Sequence, residues 1–422
     1  MIWLVSMVLL AAVPQTSADP RRVLSVNRTF AHGDAATALA RPPPWQPPAE
    51  FPMNRCPCGE LCKPLRRSKS RRADKKSFFG FWATKIYNGS SVAWRDWDWK
   101  SISTVAVWSI WELPAANWSM LCRAHAEGVR VVVPFRGGDY HSEQILNATA
   151  RREWIMNQVS ELAFFGLDGT NFDIEGQYNT SRRAALTSLT CETQAMQQQY
   201  LPDSTLTMDL DITPDNPVIT GGYDYKALAQ CLDYIVPMAY DMTGRAVGAN
   251  APLPAILDGV RRQYPALGVA PSRLIVALPW YAYSFVCSTP SLGSDCSLPV
   301  GAKHNSAIWE NSYAQLGYGE VLDLHSTLGR PLVSYNQTAQ YKWFDFTNQT
   351  TRQRHRVSFD DPETLLVKYK ALLQAGVAGV GAWTISATQR SSVAATEAAS
   401  HDMWRAVARG LMANETASGI SM

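Results

Sequence analysis

Eight short runs of β-branched and aromatic residues, each followed by a stretch long enough for a helix, predict an α/β fold whose parallel sheet closes into a (β/α)8, or TIM, barrel. Two further observations agree. The runs are nearly continuous in apolar residues instead of alternating, as expected of strands covered on both faces. No glycine-rich phosphate loop follows the first of them, which argues against an open doubly wound sheet. At 422 residues, 46% hydrophobic and 18% charged, the chain can bury a large core and is neither disordered nor a coiled coil.

The first segment, MIWLVSMVLLAAV (1–13), precedes the small residues Ser17 and Ala18 and reads as a signal peptide over 1–18. Pro14 interrupts it well short of the roughly 20 apolar residues that a membrane span needs, so no stable membrane anchor is expected. Residues 19–76 read as a flexible lead-in, with polyproline character at PPPWQPP (42–48). Its end is basic: Lys63, Arg66, Arg67, Lys69, Arg71, Arg72, Lys75 and Lys76 face one acid, Asp74. A solvated, protease-accessible loop is the expectation there, and a polyanion-binding patch the alternative. Cys56, Cys58 and Cys62 resemble part of a zinc thiolate cluster but lack the paired Cys-x2-Cys or His partners such a site needs.

The barrel is expected over 77–412, with a tail at 413–422. Its strands are FFGFWA (78–83), TVAVW (104–108), VRVVVP (129–134), LDGTNFDIE (167–175), LTMDL (206–210), YIVPMAY (234–240), RLIVALP (273–279) and VAGVGAW (377–383). Nearly a hundred residues separate the seventh from the eighth, too many for a bare loop, so an inserted subdomain is expected at about 284–362. Cys287 and Cys296 bracket a turn rich in Ser, Pro and Gly there and are the expected local disulfide.

The eight cysteines form an even set, and Asn-x-Ser/Thr acceptors begin at Asn27, Asn88, Asn117, Asn147, Asn179, Asn336, Asn348 and Asn414. Together they indicate a disulfide-bonded glycoprotein of the secretory pathway, lysosomal or extracellular. The formal charge of +3 is too near zero to imply nucleic acid as a partner of the whole molecule.

The chemistry concentrates in DGTNFDIE (168–175). Asn171, Asp173 and Glu175 recur every second residue, so on a strand they share one face, about 6.6 Å apart along it. On a barrel strand that face points inward, and the C-terminal strand ends are where such barrels place active sites. Two carboxylates there raise each other's cost of ionisation, which suits one charged group beside one protonated general acid. A salt-bridged or helix-capping pair is the plainer explanation, disfavoured by three polar groups on one inward face.

DGTNFDIE resembles the DGxDxDxE signature of glycoside hydrolase family 18, the chitinase-like (β/α)8 enzymes, and more closely its di-N-acetylchitobiase branch, where Asn also stands first of the three inward positions. CPCGELCKPL (56–65), WDWKSISTVAVW (97–108), LTMDLDITPDN (206–216), VPMAYD (236–241), LIVALPWYAYSFVC (274–287), FDDPET (359–364) and GVGAW (379–383) extend the resemblance in order, covering roughly Cys56 to Trp404. It implies that Glu175 is the general acid/base and that Asp173 holds the substrate's acetamido group. That group's own oxygen is the implied nucleophile, closing an oxazolinium ring. Tyr240 is then the tyrosine bonded to the attacking carbonyl oxygen, Asp241 a sugar-contacting acid, and Trp383 the platform under the cleaved sugar. Met238 shares Tyr240's inward parity. Asn171 replaces the signature's Asp and removes one negative charge beside Asp173. GVGAWTISATQR (379–390) and the longer loop after Tyr87, SSVAWRDW (90–97), depart from the branch where sugar subsites would lie.

The resulting expectation is a monomeric retaining glycosidase acting on β-1,4-linked N-acetylglucosamine. The substrate is the chitobiose core of N-glycan fragments or short chitooligosaccharides, with no cofactor and no metal. An endo-acting chitinase or endo-β-N-acetylglucosaminidase on the same barrel, and a non-catalytic chitin-binding lectin, are the alternatives.

Overall fold

The computed structural model describes residues 56–66, 77–84, 86–87, 92–110, 113, 118–136, 146–176, 178–214, 222–242, 247–289, 295–300 and 312–412. The expected signal peptide, the tail and most of the basic run lie outside them; within that run Lys63 pairs with Glu60 at 2.6 Å on the surface.

Strands β1 (Ser77–Trp82), β2 (Thr104–Val107), β3 (Arg130–Arg136), β4 (Gly169–Asp173), β5 (Thr205–Asp211), β6 (Tyr234–Met238), β7 (Ile275–Pro279) and β13 (Gly379–Trp383) are all parallel and close a barrel in the order β1-β13-β7-β6-β5-β4-β3-β2. Each of the eight apolar runs is one of these strands. Phe79, Phe81, Ala106, Val132, Val236, Ile275 and Ala277 fill the barrel interior, while the alternate residues pack outward beneath the helices.

Those helices are α1 (Ser119–Ala126), α2 (Ala148–Phe165), α3 (Thr180–Tyr200), α4 (Tyr225–Cys231), α5 (Leu253–Asp258, continued by a π-turn at Gly259–Gln263), α7 (Pro362–Gln374) and α8 (Val393–Met412). Asn147 and Asn179 are the exposed N-caps of α2 and α3, each accepting backbone N–H bonds at its side-chain oxygen. Asn336 and Asn348, half-buried, accept backbone N–H bonds in turns. Asn27, Asn88, Asn117 and Asn414 lie outside the described residues.

The N-terminal end of the barrel is sealed by the cysteine segment. Gly166 (φ 69°) ends α2 where a Cβ would stand 1.8 Å from the Cys62 carbonyl oxygen, so only glycine lets the segment in. At the start of β4 the wholly buried Asp168 accepts from Leu65 N–H (2.6 Å) and Val131 N–H (2.6 Å), with His125 Nε2 2.9 Å away. His125 Nδ1 stands 2.7 Å from the Leu61 carbonyl oxygen. Disulfides join Cys56 to Cys62, Cys58 to Cys122 on α1, and Cys191 on α3 to Cys231 on α4. The sulfurs of Cys56, Cys58, Cys62 and Cys122 lie within 4.8 Å of one another, but all four are engaged in disulfides, which leaves no thiolate for zinc.

Between β7 and β13 the chain builds a second, antiparallel sheet. Its strands are β8 (Tyr281–Val286), β9 (Tyr313–Gly317), β10 (Ser334–Asn336), β11 (Tyr341–Thr347) and β12 (Arg354–Phe359), ordered β10-β11-β12-β8-β9, with α6 (Tyr318–Thr327) after β9. It begins at Tyr281, only one residue beyond β7 and three before the expected start of the insertion at about 284. Cys287, just past the end of β8, is bonded to Cys296.

Candidate active site

The outward side of β4 fixes its inward side. Thr170 accepts from Gln197 Nε2 of α3 at 2.6 Å, and Phe172 packs on Trp154 of α2. Asn171 and Asp173 are therefore turned into the barrel, as period-2 geometry requires. Just past the strand, the chain is held by the Tyr223 hydroxyl donating to the Ile174 carbonyl (2.6 Å) and the Tyr178 hydroxyl to that of Glu175 (3.4 Å). Glu175 thus leaves the C-terminal strand end on the same side as Asp173, to which its carboxyl is hydrogen-bonded.

Water reaches Glu175 at the mouth, yet protein atoms surround its carboxyl. This burial, then the charge and hydrogen bond of Asp173, then Asp241 and Asp211, push it up to about 8. Asp209, inward on β5 and wholly buried, is raised well above the carboxylate range by burial first and by Asp173 next. Tyr240 follows β6 with Met238 buried beneath it; burial, Asp209, Asp173, Asp241 and Glu175 all raise its phenol, which stays neutral and faces the acids.

Asp241 adopts a left-handed backbone (φ 56°), a conformation Asp tolerates better than most side chains. Its N–H donates to Asn250 Oδ1 at 2.6 Å, and its carboxylate accepts from the Tyr281 hydroxyl and from that of Tyr283 (2.5 Å), both on β8. Gln315 of β9 donates to Tyr283 Oη (2.9 Å) and accepts from the Tyr87 hydroxyl (3.0 Å), while the Tyr87 ring stacks on Tyr281 at 5.2 Å. Trp383 ends β13 with its ring 4.5 Å from Trp108, 5.4 Å from Phe81 and 6.5 Å from Tyr240. The structure therefore brings Asn171, Asp173, Glu175, Met238, Tyr240, Asp241 and Trp383 to one end of the barrel.

Sequence reasoning did not single out Asp209, Asp211, Asn250, Tyr281, Tyr283 or Tyr87. For the two acids a signal existed: in LTMDLD they stand two apart on a strand buried on both faces, the same pattern as Asn171 and Asp173. Asp211 is the better satisfied, its Oδ1 accepting from Thr213 N (2.8 Å) and Oγ1 (2.9 Å). The tyrosines come from the insertion and from the loop after β1, which only the fold brings to Asp241.

Two carboxyl groups side by side at a barrel's C-terminal mouth, one of them pushed up to about 8 and both edged by aromatic rings, suit acid/base chemistry on a sugar. The profile of "Glycosyl hydrolases family 18" matches residues 93–387. The chain belongs to that family. It is accordingly a glycosidase. Di-N-acetylchitobiase of Rattus norvegicus is 27% identical to it over 362 residues, covering 83% of this chain and 92% of that protein. Among solved structures, the Ostrinia furnacalis Group IV chitinase superposes with a TM-score of 0.65 at 16% identity, over 80% of this chain and 100% of that one. The chitinase-like agglutinin from Robinia pseudoacacia gives 0.60 at 18% identity, over 77% and 99%. A shared barrel therefore accompanies both a chitinase and a lectin, and the chemistry has to be argued from the side chains.

Proposed function

We propose that this family 18 enzyme hydrolyses β-1,4 bonds of N-acetylglucosamine by substrate-assisted catalysis, with the chitobiose core of N-glycan fragments or short chitooligosaccharides as substrate. The observation that carries the reading is the hydrogen-bonded Asp173–Glu175 pair with Glu175 pushed up to about 8, a carboxylic acid still protonated at neutral pH. Glu175 gives its proton to the departing glycosidic oxygen. The acetamido oxygen of the substrate attacks the anomeric carbon as that bond breaks, closing an oxazolinium ring. Asp173 accepts the acetamido N–H and balances the positive charge, while the neutral Tyr240 hydroxyl donates to the acetamido oxygen and aligns it. Water then adds to the anomeric carbon, losing a proton to Glu175, and the ring reopens with net retention.

Asp241 and Trp383 contact the sugar on either side, the tryptophan offering a flat apolar face to the pyranose. The Tyr87–Gln315–Tyr283 chain beside Asp241 supports a cleft closed on that side and hence release of single sugars. Four disulfides suit an oxidising compartment, which supports passage through the secretory pathway to a lysosome or the exterior. Chitotetraose labelled at its reducing end tests the substrate and direction together. A single labelled monosaccharide is expected; internal cuts would replace the exo reading with an endo one, and intact substrate would remove the hydrolytic reading altogether.

A further inference from the structure

Four hydrogen bonds run in one direction from Trp383 to Asp241, the two side chains proposed above to flank the sugar. The Trp383 indole N–H donates to the Tyr87 oxygen, and the Tyr87 hydroxyl donates to Gln315 Oε1 at 3.0 Å. Gln315 Nε2 donates in turn to Tyr283 Oη at 2.9 Å, whose own hydrogen goes to Asp241 Oδ1 at 2.5 Å. Each tyrosine hydroxyl accepts one hydrogen and passes on its own, so the link between them must accept at one end and donate at the other, as a carboxamide does. The links come from separate parts of the chain. Trp383 ends β13, which stands between β1 and β7 in the barrel; Tyr87 follows β1, and Gln315 lies on β9, the edge strand of the sheet inserted after β7. The Tyr87–Gln315 bond thus joins the two segments that flank β13, at the point where Trp383 ends it. Tyr87 is held there by more than that bond. Its backbone is left-handed (φ 53°), which a bulky residue adopts only where its surroundings over-determine it, and its ring stacks on Tyr281 at 5.2 Å. On β9 a Cβ at Gly317, two residues beyond Gln315, would stand 2.8 Å from the Tyr87 Cβ, so a larger side chain would push the two segments apart.

We infer that Gln315 is a positioning residue: its carboxamide, tied to Tyr87 and Tyr283, holds Trp383 and Asp241 in register for the sugar, and so sets substrate affinity while the chemical step is left to Glu175, Asp173 and Tyr240. None of those three side chains belongs to the chain of bonds. Gln315 itself is exposed, so replacing it leaves the core intact. The inserted sheet acts on the sugar here through a residue that does not touch it.

The inference rests on the sugar contacts proposed for Asp241 and Trp383, and the test separates it from the hydrolase reading. Steady-state kinetics on chitotetraose are measured for the wild type, Gln315→Leu, Tyr87→Phe, their double variant and Gln315→Glu, with thermal melts to check folding. Gln315→Leu is expected to raise KM about 5- to 20-fold with kcat nearly unchanged, the size of one or two net hydrogen bonds. Tyr87→Phe keeps the stacked ring, loses the hydroxyl and raises KM similarly. The double variant rises no further than the larger single effect, because both changes break one chain. Gln315→Glu is the sharper probe. A carboxylate cannot donate to Tyr283, whereas a carboxylic acid accepts at one oxygen and donates from the other, as the carboxamide does. Facing this position are Tyr87, Tyr281 and Tyr283, with Tyr313 beside Tyr283, and behind them the acids Asp241 and Glu320, whose charges favour protonation there. Relative to the wild type at the same pH, KM of Gln315→Glu is therefore expected to be raised at about pH 7 and to return toward the wild-type value at about pH 4, while that of Gln315→Leu stays raised at both. A wild-type KM in Gln315→Leu, an equal loss in kcat and kcat/KM, a double variant showing the full product of the single effects, or no recovery of Gln315→Glu in acid overturns the inference. Should Tyr87→Phe not fold, the two Gln315 variants decide alone. A wild type that binds chitotetraose and leaves it intact overturns the hydrolase reading instead, and the dissociation constants of the same variants for chitotetraose then test the inference.

Discussion

Glu175 shares a hydrogen bond with Asp173, and the pair is arranged so that one of the two keeps its proton. Since burial and Asp173 push Glu175 up to about 8, the acid form persists through neutrality and is lost as the pH climbs past that value. The alkaline limb of kcat/KM is therefore expected near pH 8. Glu175→Gln cannot donate a proton and should lose about 10²- to 10⁴-fold in kcat, the usual contribution of a general acid, while binding of oligosaccharide persists. A variant that turns over at the wild-type rate would remove Glu175 from the reaction.

The same shift has a cost in stability. A group whose pKa is higher in the folded state than its ordinary 4.5 binds more protons folded than unfolded, so stability falls as pH rises from about 4.5 to about 8. Glu175→Gln has no such proton to lose. It should be more stable than the wild type at pH 7, by about 1 kcal/mol once the water reaching the carboxyl is allowed for, and show no advantage at pH 4. Thermal melts at the two pH values give the comparison, and equal differences would contradict it.

Much of this was legible beforehand because barrel strands are buried on both faces, so their runs stand out without alternation. Period-2 parity then placed Asn171 and Asp173 inward before any fold was known. What was hidden depends on the fold. The Cys58–Cys122 link needs the lead-in to dock under α1, and Tyr281 and Tyr283 look like an ordinary alternating strand until β8 lies beside Asp241. Asp209 sat in a pattern like that of its neighbour strand and was overlooked because its partner is an uncharged amide.

Asp241 offers a prediction about backbone rather than charge. Its left-handed conformation is held by Asn250, whose buried Oδ1 accepts the Asp241 N–H at 2.6 Å. Asn250→Ala leaves that N–H unpaired and frees the carboxylate from its place under Tyr281 and Tyr283. A loss of about 1–3 kcal/mol in stability is expected. A sugar contact made through Asp241 would then raise KM more than it lowers kcat. Equal loss in kcat and kcat/KM would place Asn250 in the chemical step instead.

At the start of β4, at the other end of that strand from Glu175, Asp168 makes a prediction confined to stability. Glu175 stands seven positions further on, about 23 Å along an extended chain, so Asp168 has no reach into the reaction. Its carboxylate is wholly buried and binds the N–H groups of Leu65 and Val131 together with His125, so the cysteine segment, β3 and α1 all converge on one charge. Asp168→Ala leaves the buried N–H groups of Leu65 and Val131 and the His125 ring nitrogen without their partner and should cost about 3–5 kcal/mol in a denaturant titration, at about 1–3 kcal/mol for each buried polar group left unsatisfied. Asp168→Asn should do little better, because its new N–H group must oppose one of the backbone donors it was meant to satisfy. The Cys58–Cys122 disulfide closes a 64-residue separation and contributes about 4 kcal/mol by chain entropy while holding the same segment. Removing it together with Asp168 should therefore cost less than the sum of the two single losses. Strict additivity would show that the carboxylate and the disulfide hold separate parts of the fold.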